Sequence, residues 1–142
     1  MATPHDTMDM PGPLLERLGG EEGIRRWVDR FYDQVPQDPV LAPLFPPDLS
    51  VSREKQAAYF TEFFGGPPLY SQTFGRPFMR YLHRNVRIGQ PERDAWMNGM
   101  MAALRAERND PALLEAVAAR LEPMATQMIN HHPERKDSYF FN

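Results

Sequence analysis

Apolar residues recur at helical spacing along most of this chain of 142 residues. The clearest stripe follows the spacing i, i+3, i+4, i+7, i+8, i+11, which is typical of an amphipathic helix, and consists of Ile24, Trp27, Val28, Phe31, Tyr32 and Val35. Glu21 and Glu22 lie at its start, where the helix dipole favours negative charge. Pro36 is expected to end this first helix.

Three more segments show the same period. The second predicted helix begins near Ser50, a candidate N-cap, and ends at about Phe64, before the run Gly65-Gly66-Pro67-Pro68. Pro91 opens the third helix, and Asp110-Pro111 caps the fourth. The predicted inward residues are Trp96, Met97, Met100, Met101 and Leu104 in the third helix, and Leu113, Leu114, Val117, Leu121, Met124 and Met128 in the fourth.

The connection between the second and third helices is predicted to be irregular. Residues 67–75 indicate a loop, and a short apolar pattern follows at Phe78, Met79, Leu82 and His83. No segment alternates convincingly at the period of two that is typical of strands. The predicted fold class is therefore all-α, with four substantial helices and short connectors.

The length of the chain is that of one domain. Residues 1–13 contain three prolines and no apolar period, which predicts a flexible N-terminal arm. Residues 14–132 are expected to form the domain. Residues 133–142 form a C-terminal tail with an aromatic end and no helical period.

Composition excludes several functions. The formal net charge is -3, so no basic excess indicates nucleic-acid binding. No apolar stretch of about 18 residues is present, and the N-terminus does not resemble a secretory signal. We therefore expect a cytoplasmic protein that does not bind membranes. The chain has no cysteine, which excludes disulfides, iron–sulfur clusters and covalently attached c-type haem.

The histidines limit the metal chemistry that this chain can support. Of His5, His83, His131 and His132, only His83 lies inside the predicted domain, on an apolar face. From its position alone it is more often an ordinary core or surface histidine. A zinc site needs three or four protein ligands. Haem iron needs only one axial imidazole from the protein, so haem is the common metal group that fits this inventory.

Polar side chains beside aromatic ones raise a second question. One face of the second helix contains Ser52, Gln56, Tyr59, Phe60 and Phe63. Either this end of the helix lies at the surface, or Ser52 and Gln56 contact a polar ligand inside an apolar cavity. Tyr32 and Trp96 present the same alternatives, because each can fill a core with its O–H or N–H bonded to a partner.

Several motifs together resemble a known family. They are Leu18-Gly19-Gly20, Phe31-Tyr32, Asp38-Pro39 with Leu44-Phe45-Pro46, Lys55-Gln56, Phe64-Gly65-Gly66-Pro67-Pro68-Leu69-Tyr70, and His83 with Trp96 thirteen residues later. From about Leu18 to Ile129 the chain resembles the group II truncated haemoglobins. The resemblance implies a truncated globin, a two-over-two helical sandwich around non-covalent haem b.

The resemblance also implies roles for individual residues. His83 matches the proximal iron ligand, and Phe45 matches the ring that packs on the haem face. The matching distal positions are Tyr32, Ser52, Gln56 and Trp96. Tyr59, Phe60 and Phe63 are weaker matches, expected to line the haem or the route to it.

One segment departs from the family pattern. After the proximal histidine the family usually has Leu-Pro-Phe, whereas this chain has Arg84-Asn85-Val86. We expect Arg80 and Arg84 to pair with the haem propionates, with Lys55 and Arg76 as weaker candidates. The alternative for each is a solvated surface charge.

The implied chemistry is ligand binding with slow O2 release. Tyr32, Gln56 and Trp96 are hydrogen-bond donors, which stabilise a ligand of partial negative charge best in a pocket of low dielectric. We expect O2, CO and NO as ligands, and a homodimer is a further expectation.

Two alternatives stay open. The first is a redox enzyme, with peroxidase-like or nitric-oxide-oxidising activity at the same haem. It would need a separate reductase, because the chain has no flavin or nicotinamide domain, and peroxide would then be a substrate. The second is a helical domain without haem that makes protein contacts.

Overall fold

The computed structural model describes residues 13–133. Within that range it contains seven α-helices, two short 3-10 helices and no strand, so the all-α prediction is confirmed. The α-helices are α1 (Leu14–Arg17), α2 (Gly20–Gln34), α3 (Ser50–Phe63), α4 (Leu69–Phe74), α5 (Met79–Leu82), α6 (Gln90–Glu107) and α7 (Pro111–Gln127). The 3-10 helices are Val35–Gln37 and Ala42–Leu44. The predicted arm and tail lie outside the described residues, apart from Pro13 and Pro133.

The four long helices form two packed pairs. Helix α2 packs on α3, α6 packs on α7, and the pairs meet through α2 and α6. This is the two-over-two arrangement that the resemblance implied. No helix between residues 13 and 133 combines the length and apolarity that crossing a bilayer requires.

The core lies where the two pairs meet. All six residues of the stripe predicted for the first helix are buried. At its centre Trp27 is fully buried, and its Nε1–H donates to the carbonyl oxygen of Met100 on α6 at 2.8 Å. Truncating a buried side chain of this size to alanine costs about 3–5 kcal/mol of stability. Its hydrogen bond also fixes the register of α2 against α6.

The predicted helix starts are partly correct. Asp110 caps α7 as predicted, since its Oδ1 accepts a hydrogen bond from the Leu113 N–H at 3.3 Å. The prediction that Ser50 caps α3 is wrong, because Ser50 is the first residue of that helix. Its N–H donates instead to the carboxylate of Asp48 at 3.0 Å.

The loop predicted over residues 67–75 is also wrong in part. Residues Leu69–Phe74 form α4, although six residues are too few to show a helical apolar period in the sequence. The Glu62 carboxylate on α3 accepts hydrogen bonds from the N–H of Ser71 at 2.9 Å and from its hydroxyl at 2.6 Å. Tyr70 is buried against Tyr59. Contacts with α3 therefore stabilise a helix that local sequence does not indicate.

Candidate functional site

A cavity of about 440 Å³ lies among α2, α3, α6, α7 and the segment around α5. Its volume is within the range of about 300–1,000 Å³ typical of cofactor sites. The apolar part of the lining is formed by Leu41, Leu44, Pro46, Met79, Leu82, Val86, Ile88, Met124, Ala125 and Met128. A flat apolar group with a few polar contacts would suit such a lining.

Most of the predicted site residues meet at this cavity. Those that line it are Tyr32, Phe45, Ser52, Gln56, Tyr59, His83 and Trp96, together with the weaker candidate Lys55. They come from five separate stretches of the chain, so the fold assembles them. We call Tyr32, Ser52, Gln56 and Trp96 the distal group, and residues 79–88 the proximal segment.

Phe60 and Phe63 do not line the cavity. Phe60 is fully buried, with its ring centroid 4.8 Å from that of Trp27 and 6.2 Å from that of Trp96. It therefore supports the cavity wall from behind. Phe63 faces the Arg120 guanidinium, which lies 4.8 Å from its ring centroid. Both residues share a helical face with the lining positions in the sequence pattern, but packing against the core and against Arg120 directs them elsewhere.

The predicted propionate arginines also lie outside the lining. Arg80 and Arg84 are exposed, as is Arg76. The Arg84 guanidinium stacks on the Tyr81 ring at 3.7 Å from its centroid and donates to the Tyr81 carbonyl oxygen at 2.8 Å. These contacts hold Arg84 along the surface.

Arg93 lines the cavity and was not predicted. Its guanidinium donates to the Asp94 carboxylate and to the Thr126 hydroxyl, both at 3.2 Å. The sequence did contain a signal, because Arg93 precedes Trp96 by three residues and Met97 by four on the inward stripe of α6. Arg93 and Lys55 therefore contribute cationic side chains to the lining, of which Arg93 is paired with Asp94 and Lys55 is exposed.

The distal group presents unpaired hydrogen-bond donors. The Tyr32 residue is only 3% exposed, and its ring is held edge-on against Phe45, with the centroids 5.5 Å apart. Within residues 13–133 no hydrogen-bond partner is found for the Tyr32 hydroxyl, the Gln56 amide or the Trp96 N–H. Gln56 and Trp96 are half-buried, whereas Tyr32 is buried, and leaving a buried donor unpaired costs about 1–3 kcal/mol. A ligand that accepts hydrogen bonds would recover that cost.

Burial also determines the protonation of Tyr32. Removal from water raises the pKa of Tyr32 well above its ordinary value of 10.0, and the positive charge of Arg53 lowers it by a smaller amount. The phenol therefore keeps its proton at neutral pH. Tyr32 is a hydrogen-bond donor under those conditions.

His83 presents one free ring nitrogen. It follows α5 directly, and its Nδ1 lies 2.8 Å from the Met79 carbonyl oxygen. Because a carbonyl oxygen only accepts hydrogen bonds, Nδ1 carries a proton, and in the neutral imidazole Nε2 then keeps its lone pair. A metal-ligating histidine almost always donates its other ring N–H in this way. In this tautomer His83 can therefore bind a metal through Nε2.

Asn130 fixes the backbone that follows His83. Its side-chain N–H groups donate to the carbonyl oxygens of Val86 at 2.8 Å and His83 at 3.3 Å. Its Oδ1 accepts a hydrogen bond from the Ile88 N–H at 2.8 Å. Sequence reasoning missed Asn130, because no local pattern connects residues more than 40 positions apart.

Comparisons with known proteins agree with this geometry. The family model described as bacterial-like globin matches residues 13–130. The group 2 truncated haemoglobin YjbI of Bacillus subtilis is 37% identical over 111 residues, which span 78% of this chain and 84% of that protein.

Two solved structures show the same fold. The haemoglobin of Chloroflexus aurantiacus superposes with a TM-score of 0.79 at 38% identity, over 84% of this chain and 99% of that one. The group II truncated haemoglobin of Bacillus anthracis superposes with a TM-score of 0.81 at 33% identity, over 89% and 99%.

The fold and the single-histidine cavity define a haem site of the globin type, and the chain belongs to the bacterial-like globin family. Within that family it is grouped with the group II truncated haemoglobins, as its motifs indicated. Haem b is the usual cofactor of these haemoglobins. The residues present fit that group, because the cavity combines an apolar lining, one imidazole with a free Nε2, and an unpaired buried hydroxyl on Tyr32.

Proposed function

We propose that this protein binds O2, CO and NO at a polar distal pocket and releases O2 slowly. One observation supports this most strongly: the buried Tyr32 hydroxyl, without a protein partner in the described chain, lines the same cavity as His83. When bound, the haem supplies an iron with one coordination position open to a diatomic ligand. We propose that His83 holds this iron through Nε2.

The distal group would stabilise a ligand that gains negative charge. Tyr32, Gln56 and Trp96 each offer an N–H or O–H, and Ser52 offers a further hydroxyl or a site for a water molecule. One hydrogen bond to a charged acceptor contributes about 1.5–3 kcal/mol. That corresponds to roughly tenfold to hundredfold in a dissociation rate. A related Bacillus subtilis structure is described as an oxygen-avid truncated haemoglobin, which supports the proposal.

The test is spectroscopic. Purified protein is reduced without air and then exposed to O2, and the dissociation rate is measured by displacement with CO. We expect a lasting oxygenated spectrum, and Tyr32→Phe should accelerate O2 release by about tenfold to hundredfold. Tyr70→Phe is the matched control, since Tyr70 is buried but does not line the cavity. Equal release from both variants and the wild type would contradict the proposal.

A second candidate is redox chemistry at the same haem, either peroxidase-like or nitric-oxide-oxidising. It is favoured by the presence of three oxidisable rings, Tyr32, Tyr59 and Trp96, in the cavity lining. We propose that any such cycle draws electrons from a separate reductase. Rapid return of the oxygenated form to ferric protein, with turnover of an aromatic reductant by peroxide, would favour this candidate. The cytoplasmic location and the homodimer stay predictions.

A further inference from the structure

Positive charge is concentrated in one segment of the surface. Residues 63–91 contain no Asp, Glu or Lys but four arginines, in a chain whose net charge is -3. These are Arg76, Arg80, Arg84 and Arg87, and all four are exposed. None of them forms an ion pair with a carboxylate of residues 13–133. The segment is therefore locally cationic on an acidic protein.

Two exposed aromatic rings accompany these charges. Phe78 and Tyr81 are each 60% exposed, and Arg84 stacks on the Tyr81 ring. Exposed aromatic side chains among arginines are typical of protein interfaces, where both residue types are enriched. We define the basic-aromatic patch as Arg76, Phe78, Arg80, Tyr81 and Arg84.

The patch lies on the outside of the cavity wall. Met79, Leu82 and His83 line the cavity, whereas no residue of the patch does, although the two sets alternate along one short stretch of chain. A protein that docks on the patch therefore contacts the same short segment that contributes His83 to the cavity lining. Such a position suits a partner that exchanges electrons with the cofactor.

We propose that the basic-aromatic patch docks an acidic electron-donor protein, the reductase that the proposed function requires. This inference rests on that function, because O2 binds ferrous haem and a ferric haem needs one electron to return to that state. In each encounter the donor would be oxidised by one electron and the bound haem reduced by one, with no bond on this chain formed or broken. A small, charge-steered interface suits a transient redox encounter.

The test compares two reductants on the haem-loaded protein. A strongly acidic flavodoxin, photoreduced without air, serves as the docking probe, and dithionite reports the intrinsic reducibility of each variant. Arg76→Glu/Arg80→Glu should lower the ratio of the flavodoxin rate to the dithionite rate at least tenfold at low ionic strength. Phe78→Ser, which changes no charge, should lower it by a smaller factor. The wild-type ratio should fall as salt is added.

The matched control is Arg25→Glu/Arg105→Glu, which makes the same change in net charge at two exposed arginines outside the patch and the cavity. An equal loss in the control pair would show that net charge matters rather than the patch, and would overturn the proposal. An unchanged ratio in the patch pair would overturn it as well.

Binding supplies an independent readout. Titration of the isotope-labelled holoprotein with oxidised flavodoxin should shift the amide resonances of residues 76–87 in the wild type but not in the patch variants. Faster haem loss from the patch pair, with both reduction rates equally slowed, would show that these arginines serve the cofactor. Patch-dependent binding to phosphatidylglycerol vesicles, without an effect on flavodoxin, would identify a membrane surface. Either result overturns the proposal.

Failure of the proposed function has a different signature. It would appear with dithionite alone, as wild-type protein that takes up no haem or forms no oxygenated spectrum. Failure of docking would leave both of those properties intact.

Discussion

The distal group and the proximal segment line the same cavity, but the fold holds them differently. Tyr32, Gln56 and Trp96 belong to three long helices that pack through the core. His83 follows a helix of four residues, and the backbone after it is held by the side chain of Asn130. The distal donors are therefore positioned by hydrophobic packing, and the predicted iron ligand by a few hydrogen bonds.

This difference suggests that ligand stabilisation and cofactor retention depend on different parts of the site. Packed helices are the parts of a protein that open least, whereas short elements with few apolar contacts open at low free-energy cost. We infer that the distal group determines how a ligand is stabilised. We also infer that the proximal segment determines how firmly the cofactor is bound.

The largest effect is expected at His83. His83→Ala removes the imidazole and should accelerate haem loss by more than the tenfold to hundredfold that loss of an outer partner costs at a metal site. Transfer of haem to apomyoglobin measures the rate. His132→Ala should behave as the wild type. Restoration of the wild-type spectrum by added imidazole would confirm that the ring, rather than the fold, was lost.

Trp96 tests the distal group next. Trp96→Phe removes one donor and should speed O2 release by about tenfold. Trp27→Phe is the control, because the Trp27 N–H bonds to Met100 in the core. That variant should lose about 1–3 kcal/mol of unfolding free energy with an unchanged release rate. If both variants released O2 equally fast, core packing rather than hydrogen bonding would govern the pocket.

Asn130 is the corresponding test of the proximal segment. Asn130→Leu keeps similar bulk but removes three hydrogen bonds, so haem loss should accelerate about tenfold. Asn130→Asp keeps an acceptor for the Ile88 N–H, so its rate of haem loss should fall between those of the wild type and Asn130→Leu. The iron–histidine stretching band in the Raman spectrum should broaden in both variants. O2 release should change less than in Trp96→Phe, and the reverse order would contradict the division of roles.

The smallest effect concerns pH. Burial raises the pKa of Tyr32, so the folded protein keeps this proton above pH 10, where the unfolded chain loses it. The contribution of protonated Tyr32 to the free energy of unfolding is therefore fully present below pH 10 and declines above it, by at most about 1.4 kcal/mol per pH unit. In Tyr32→Phe, the unfolding free energy measured with denaturant should decline less steeply with pH, because the Tyr32 contribution is removed. Some decline should remain, because burial also raises the pKa of Tyr59 and Tyr70. O2 release should be constant between pH 6 and 9.

The sequence predicted the parts of the fold that depend on periodicity. The long helices follow from their apolar stripes, and Asp110 from the chemistry of capping. Helix α4 could not be predicted, because its six residues are too few to show a helical period, and Glu62 from another helix adds to the contact between its own Tyr70 and Phe74 rings. Ser50 was misplaced by one position, since Asp48 offers a competing carboxylate.

The site divides in a similar way. The distal group could be predicted because helical register and family motifs both point to its residues. Phe60 was displaced from the expected lining by its partners in the core, which no single-helix pattern contains. Arg93 could have been predicted from its position on the inward stripe of α6. Asn130 could not, because its hydrogen bonds join residues more than 40 positions apart.

The chain contains two tryptophans, and both pack near the Phe60 ring beside the cavity. Trp96 lines the cavity and Trp27 does not, and the ring centroids of both lie within 6.2 Å of that of Phe60. Indole emission overlaps haem absorption, so filling the cavity should quench both fluorophores. Trp96→Phe leaves one emitter, shielded from water, whose brightness then follows occupancy alone. Intrinsic tryptophan fluorescence should therefore report uptake of the cofactor without an added label.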